Sequence, residues 1–290
     1  MIANKTFKRT EAEFLMMLVA LIWGVTFVLV KNALADIGPF LFLGIRFVLA
    51  FLVLAIFSFK NIIKVEVSTV AAGCLLGFFL FIGYVFQTVG LQYTTSSNAG
   101  FITGVSVVLV PIMFYIKKRT WPDWQTTLTV VMAATGLFLL SVPAGKFALG
   151  YGDLLVLVCA FGFALHIVFV SKYSWRHNAV AITGVQILFV GLLCLVIGLA
   201  AEPIPQHMGS DTILAIIVTS VFATSLAFLL QNYLQRFSTP TRFAVVLTTE
   251  PVFAALAGFV WANEILTVRA YTGAALILLA MLLSILLRKN

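Results

Sequence analysis

Charge is what this sequence has least of. Of its 290 residues 10% are Asp, Glu, Lys or Arg, against 62% that are hydrophobic. A soluble domain carries about 25% charged residues, so nothing here would solvate a water-facing surface. Histidine is scarce as well: His166, His177 and His207 are the only three, and their spacing makes no metal-ligand set. The three cysteines, Cys74, Cys159 and Cys194, fall inside apolar runs, where small packing residues are expected rather than disulfide or metal partners. The one Gly-Lys pair, in VPAGKFA, lacks the rest of a phosphate-binding loop. No ATP-driven step, metal or cofactor is expected.

What the chain has in abundance is apolar sequence, with a mean hydropathy of +1.12. Its runs reach the roughly 18–20 residues that cross a bilayer, and they recur from end to end. Ten candidate spans follow, over 11–31, 38–59, 67–92, 97–117, 124–142, 151–172, 180–200, 212–235, 241–262 and 267–287. The runs are apolar all round rather than alternating, which predicts helices and excludes a membrane barrel. The first span is too long for a cleaved signal peptide, lacks a small-residue cleavage site and ends in the charged VKNALAD. Connections are short, so no appended soluble domain is expected.

Basic residues set the orientation. With a cytoplasmic amino terminus, the inner segments hold Lys5, Lys8, Arg9, Lys60, Lys64, Lys117, Lys118, Arg119, Lys172, Arg176, Arg236, Arg242, Arg288 and Lys289, and the outer ones only Lys31, Lys146 and Arg269. Arg46 is left inside a span. Both termini are therefore expected in the cytoplasm, and the net charge of +8 reads as topogenic. A nucleic-acid partner is excluded because the charges are spread over separate segments rather than gathered on one face. Trp121, Trp124 and Trp175 at inner helix ends and Trp261 near an outer end fit an aromatic belt, whereas Trp23 falls mid-span.

An internal repeat is detectable. An offset of 144 lays GYVFQTVGLQYTTSSNAG over AFLLQNYLQRFSTPTRFA, so that Gln87 meets Gln231, Tyr84 meets Phe228 and Thr95 meets Thr239. FVLVK and VFVSK end at Lys31 and Lys172 in the first span of each half. Two units of five spans, 1–145 and 146–290, enter the membrane from opposite sides because five is odd. Such inverted repeats are an architecture of secondary transporters, with substrate near the midplane and broken helices at matching places in both halves. Pro111 in the fourth span and Pro251 in the ninth, displaced by about one turn, are the expected kinks or gating points.

The five-plus-five plan, LIWGVTFVLVK, LGIRFVLAFLVL, TTSSNAGFITGVSVVLVPI and LTTEPVFAALAGFVWANEIL resemble EamA-type members of the drug/metabolite transporter superfamily over essentially the whole chain. The Glu-Pro pair at 250–251 and Glu264 fit that pattern, while KKRTW has Thr120 where the first repeat often carries a matching glutamate. The resemblance implies an all-α integral membrane fold of ten helices, a central cavity and transport of small organic solutes.

Ionisable groups inside a bilayer usually face a cavity or a partner. Glu250 lies eight residues beyond Arg242, about 12 Å into the membrane from the inner face, and Arg46 about 10 Å in from the outer face. Glu250 is expected to meet a cationic substrate group or to exchange a proton for one; a structural ion pair or a protonated hydrogen bond between helices is the alternative. For Arg46 a structural role is favoured over binding a carboxylate. His166 is a candidate proton relay or a neutral ring bonded to nearby backbone. Gln87 and Gln231 are expected on opposite cavity walls, with Tyr84 one turn from Gln87 and Trp23 positioned to stack on a solute. Gly73/Gly77 and Gly100/Gly104 are expected to pack helices within the chain, with a homodimer the other use.

The function expected is export of a small metabolite, an amino acid or related solute, by a multi-pass protein of the bacterial cytoplasmic membrane. Proton-coupled efflux of lipophilic cations is the alternative. A membrane-embedded enzyme on lipid-linked substrates would need a cluster of catalytic acids, histidines or metal ligands that the sequence does not offer.

Overall fold

The computed structural model describes residues 8–63, 65–141, 150–261 and 267–286. Lys5, Lys64, Lys146, Glu264, Arg288 and Lys289 lie outside the described residues, as do the side chains of Lys60 and Trp261. Among the described residues every element is helical: α1 (Arg9–Ala33), α2 (Pro39–Ile63), α3 (Val67–Leu91), α4 (Ser96–Gly104), α5 (Ser106–Lys118), α6 (Trp124–Ser141), α7 (Tyr151–Tyr173), α8 (Ala179–Ala201), α9 (Ser210–Val218), α10 (Ala227–Leu234), α11 (Pro240–Leu247), α12 (Glu250–Trp261) and α13 (Val268–Leu286). The helix from α9 to α10 is continuous through a π-helical stretch, Thr219–Leu226, and ends in a 3-10 turn, Gln235–Phe237.

Nine helices among the described residues are long and apolar enough to cross a membrane. Their outer faces suit lipid rather than water. Phe57 is 84% exposed, and Ile56, Val196 and Leu199 are exposed beside other apolar side chains, a surface that a soluble monomer would not carry. The chain is a multi-pass membrane protein.

The candidate span over 241–262 is not one helix. It divides into α11 and α12 at Thr248 and Thr249. The fourth candidate span is also interrupted, between α4 and α5 at Val105. These places correspond under the offset of 144 read from the sequence, since 105 maps to 249. Local chemistry explains the second break. The Thr248 and Thr249 hydroxyls donate to the Val245 and Val246 carbonyls, 2.5 and 2.8 Å away, beside the i→i−3 backbone bonds that the same carbonyls accept, and so hold the tightened turn where the helix stops. Pro251 follows at the second residue of α12, where a missing N–H costs nothing. Pro111 behaves differently. It sits inside α5, six residues past Val105, so it does not mark the interruption as the sequence suggested. A proline ring disturbs the turn before it, and in this helix the break falls earlier still.

Helices from the two halves of the chain pack directly on one another: α2 on α8, α3 on α7 and α8, α6 on α13, and α1 on α12. A close approach near the cavity is at Gly24 of α1, where a Cβ would meet the Glu250 carbonyl oxygen at 2.5 Å. Gly73 and Gly77 are used within the chain, against Val185 and Phe189 of α8.

Candidate functional site

The breaks border a cavity enclosed between the two halves, with about 80 Å³ of free space. α1 contributes Trp23 and Thr26; α2, Arg46; α3, Tyr84 and Gln87. From the second half come Phe163 and His166 of α7, Phe228 and Gln231 of α10, and Thr248, Glu250 and Pro251 at the α11–α12 break. Trp23, Arg46, Tyr84, Gln87, His166, Gln231 and Glu250, scattered over more than two hundred positions, all line this one space. Pro251 lines it too, but Pro111 lines a different groove.

Glu250 is the first residue of α12. An anion is favoured there because the backbone dipole turns its positive end toward the start of a helix. No hydrogen bond or ion pair engages its carboxylate among the described residues. Arg46 makes no ion pair with it. Instead Arg46 Nε donates to Thr224 Oγ1 at 2.7 Å, Nη2 lies 3.5 Å from Tyr84 Oη, and the guanidinium sits 4.9 Å from the Tyr84 ring centroid. Arg46 is 3% exposed, and Nη1 has no partner among the described residues.

The π-helical stretch is held from two sides. Trp23 Nε1 donates to the Ala223 carbonyl at 2.8 Å, and Arg46 reaches Thr224. A wider helical turn exposes such groups, and π-helical segments recur at functional sites. Around it the aromatic rings form a connected set: Trp23 lies 5.3 Å from Phe228, Phe228 6.0 Å from Tyr84, and Tyr84 5.2 Å from Phe163, centroid to centroid.

The two glutamines differ. Gln87 Nε2 donates to Thr103 Oγ1 at 3.1 Å, and that hydroxyl lies 3.7 Å from Cys159 Sγ. Gln231 Oε1 is buried with no partner among the described residues. His166 does not bond backbone as expected: its Nε2 lies 2.9 Å from Gln186 Oε1 on α8. Asn232 turns away from the cavity and donates to Thr183 Oγ1 and the Phe228 carbonyl. All three cysteines are free, two of them buried. Among the described residues no three His, Cys, Asp or Glu side chains gather where a metal ion could be held.

Polar contacts tie the halves at both ends of the bundle. At the end where α1 begins, the buried Glu13 accepts from Ser238 Oγ and forms an ion pair with Arg242 at 3.7 Å; Arg242 also donates to the Ser284 carbonyl. At the opposite end Thr94 Oγ1 donates to Asp153 at 2.5 Å. Thr94 and Ser238 correspond under the same offset, as do the helix caps that follow them. Thr95 accepts from the backbone of Asn98, and Thr239 from that of Arg242.

The model of the EamA-like transporter family matches the chain twice, over residues 10–142 and 150–286. The chain belongs to this family. An uncharacterized transporter of Archaeoglobus fulgidus is 37% identical over 280 residues, covering 95% of this chain and 86% of that protein. The transporter YoaV of Bacillus subtilis is 23% identical, covering 89% and 91%. A protein of Chlamydia muridarum named as an S-adenosylmethionine/S-adenosylhomocysteine transporter is 26% identical, covering 87% and 85%. A solved crystal structure superposes with a TM-score of 0.80 at 17% identity, over 96% of this chain and 97% of that one, so the fold is shared. As a family member the chain is a membrane transporter.

Sequence reasoning missed several residues that line the cavity of this EamA protein. Phe228 was aligned with Tyr84 but not taken as a cavity residue, though that pairing was the available signal. Phe163, Thr103 and Thr248 had none, since aromatic and threonine residues are common in membrane helices.

Proposed function

We propose that this EamA transporter is a secondary active exporter of a small organic solute, an amino acid or a relative of one, working by alternating access. The observation that carries this reading is the unpaired Glu250 carboxylate facing the same cavity as the Arg46 guanidinium. Glu250 would take the ammonium group or a proton in its place; Arg46, through Nη1, would take a carboxylate. His166 and Glu250 would carry the proton coupling, with Gln87 and Gln231 hydrogen-bonding the solute from opposite walls and Trp23 and Tyr84 packing on its side chain.

Counted across its break, 240–261 is a tenth span, and two inverted units of five, 1–145 and 146–290, follow with both termini in the cytoplasm. Support comes from the correspondences at offset 144: the breaks at 105 and 249, the caps at Thr95 and Thr239, and the hydroxyls of Thr94 and Ser238. A cavity of about 80 Å³ is smaller than the roughly 300–1,000 Å³ of small-molecule sites. With contacts closed at both ends, it fits a contracted intermediate that widens as one end opens.

A second reading, efflux of a lipophilic cation, is favoured by the aromatic faces of Trp23, Tyr84, Phe163 and Phe228 beside a lone carboxylate. Of the two substrates the Chlamydia relative is named for, S-adenosylmethionine combines both features, an amino acid with a sulfonium cation. Counterflow into proteoliposomes with amino acids, amines and organic cations, with and without a pH gradient, separates the readings. Saturable exchange of amino acids supports the first and of organic cations the second; flux without saturation would sink both.

A further inference from the structure

A second open space, larger than the central cavity, lies apart from it. A groove of about 560 Å³ runs between α5 and α6. Its walls include Val108, Ile112, Ile116 and Val131, of which the last three are exposed, so it opens on the membrane-facing surface. Pro111 stands in the same wall. At one end are Arg119 and Trp121.

Arg119 is the unusual residue here. It closes α5 in the left-handed conformation, at φ 53, where glycine is at ease and other side chains meet a steric cost. Its guanidinium makes no hydrogen bond or ion pair among the described residues. The neighbouring cations are occupied: Lys117 lies over the Phe169 ring at 5.1 Å and Lys118 over Phe114 at 4.5 Å. Asp123, four residues on, caps α6 by accepting from the Thr126 backbone at 2.9 Å. Trp121 is 94% exposed beside Arg119, as a ring at headgroup level would be.

An occupant must be apolar along the groove and anionic at its end, and the surrounding bilayer supplies such a molecule. We propose that the groove binds an anionic phospholipid, one acyl chain laid between α5 and α6 and its phosphate on Arg119. An acyl chain gains little by leaving lipid for an apolar groove. Selectivity therefore rests on the headgroup, where one arginine near the membrane surface favours an anionic lipid about fivefold. The role left to Pro111 is to shape this wall.

The test is native mass spectrometry of the full chain with an equimolar mixture of phosphatidylglycerol and phosphatidylcholine bearing the same acyl chains. Wild type is expected to retain phosphatidylglycerol about fivefold over phosphatidylcholine. Arg119→Gly relieves the left-handed position and removes the cation together. It is expected to lose the preference while its melting temperature in phosphatidylcholine stays level or rises, which separates lipid binding from misfolding. Val131→Trp, which fills the groove, is expected to reduce retention of both lipids. Arg176→Gln, an exposed cation at the same end, is expected to leave the preference intact. Equal retention of the two lipids by wild type, a preference that survives Arg119→Gly, or an equal loss on Arg176→Gln would overturn the proposal.

Discussion

The two ends of the bundle are tied by corresponding residues in unequal ways. Where α1 begins, Glu13 is wholly buried and shares Ser238 and Arg242 in one knot that ties α1 to the start of α11 and, through the bond from Arg242 to Ser284, to α13. At the other end the work is divided. Thr94 meets Asp153, Glu202 accepts from the Phe40 and Leu41 backbones at 2.9 and 2.8 Å, and Asp36 accepts from Gly209 N and Thr212 Oγ1. A buried ion pair carries a desolvation cost that only its partner offsets, so the first end is brittle. Separate hydrogen bonds to three carboxylates, of which Asp153 is buried, Glu202 half-buried and Asp36 exposed, fail one at a time, so the second is graded. Under the proposed alternating access, this asymmetry would place the larger barrier at the end of Glu13.

The largest effect is expected from Glu13→Ala, which removes the carboxylate shared by Ser238 and Arg242 and costs the closed end about 3 kcal/mol. A lowered melting temperature and faster hydrogen exchange in 238–247 would register it. The double change Glu13→Gln with Arg242→Gln is expected to recover a large part of that loss, because neither charge is then held without its counterpart and the two amides can bond each other; a double variant as impaired as Glu13→Ala would refute the brittle-end reading. Thr94→Val should cost about 1.5–3 kcal/mol, the value of one hydrogen bond to a charged group, with faster exchange confined to the opposite end.

Asp36 should give the smallest effect. It lies in the exposed turn between α1 and α2, and the Thr212 hydroxyl, then the Gly209 N–H, hold its carboxyl below the usual range. Its folded value lies below the unfolded one, so this tie is fully formed above the unfolded value and is lost only as pH falls through the lower, folded one. The protection factor at Gly209, the intrinsic exchange rate over the observed rate at the same pH, should therefore fall in acid for wild type, and Asp36→Asn should remove that fall.

How much of this was legible follows from the kind of force involved. Hydropathy marks spans because lipid leaves the backbone no partner outside a helix, and nine of the spans read from sequence match helices of spanning length among the described residues. Glu250 and Arg46 stood out because charge inside an apolar run is costly. Their separation was not legible: Arg46 is committed to Thr224 and Tyr84, a matter of which helix faces which. Proline drew attention to the broken helices, but the first break sits at Val105, where backbone geometry and not a special residue marks it. Arg242 was counted only as one of many inner cations. Its pairing with Glu13, 229 positions earlier, is tertiary, although the match of Thr95 with Thr239 lay in the adjoining turn.

The account is tested most directly by a single cysteine at Thr248, beside Glu250 on the cavity wall, in a chain lacking Cys74, Cys159 and Cys194. An impermeant maleimide is applied from either side of sealed vesicles. The account predicts that Glu13→Gln raises labelling from the side of Glu13 at least tenfold and lowers it from the opposite side. Labelling that rises from both sides together, as in a pore, or that ignores Glu13 altogether, would contradict it.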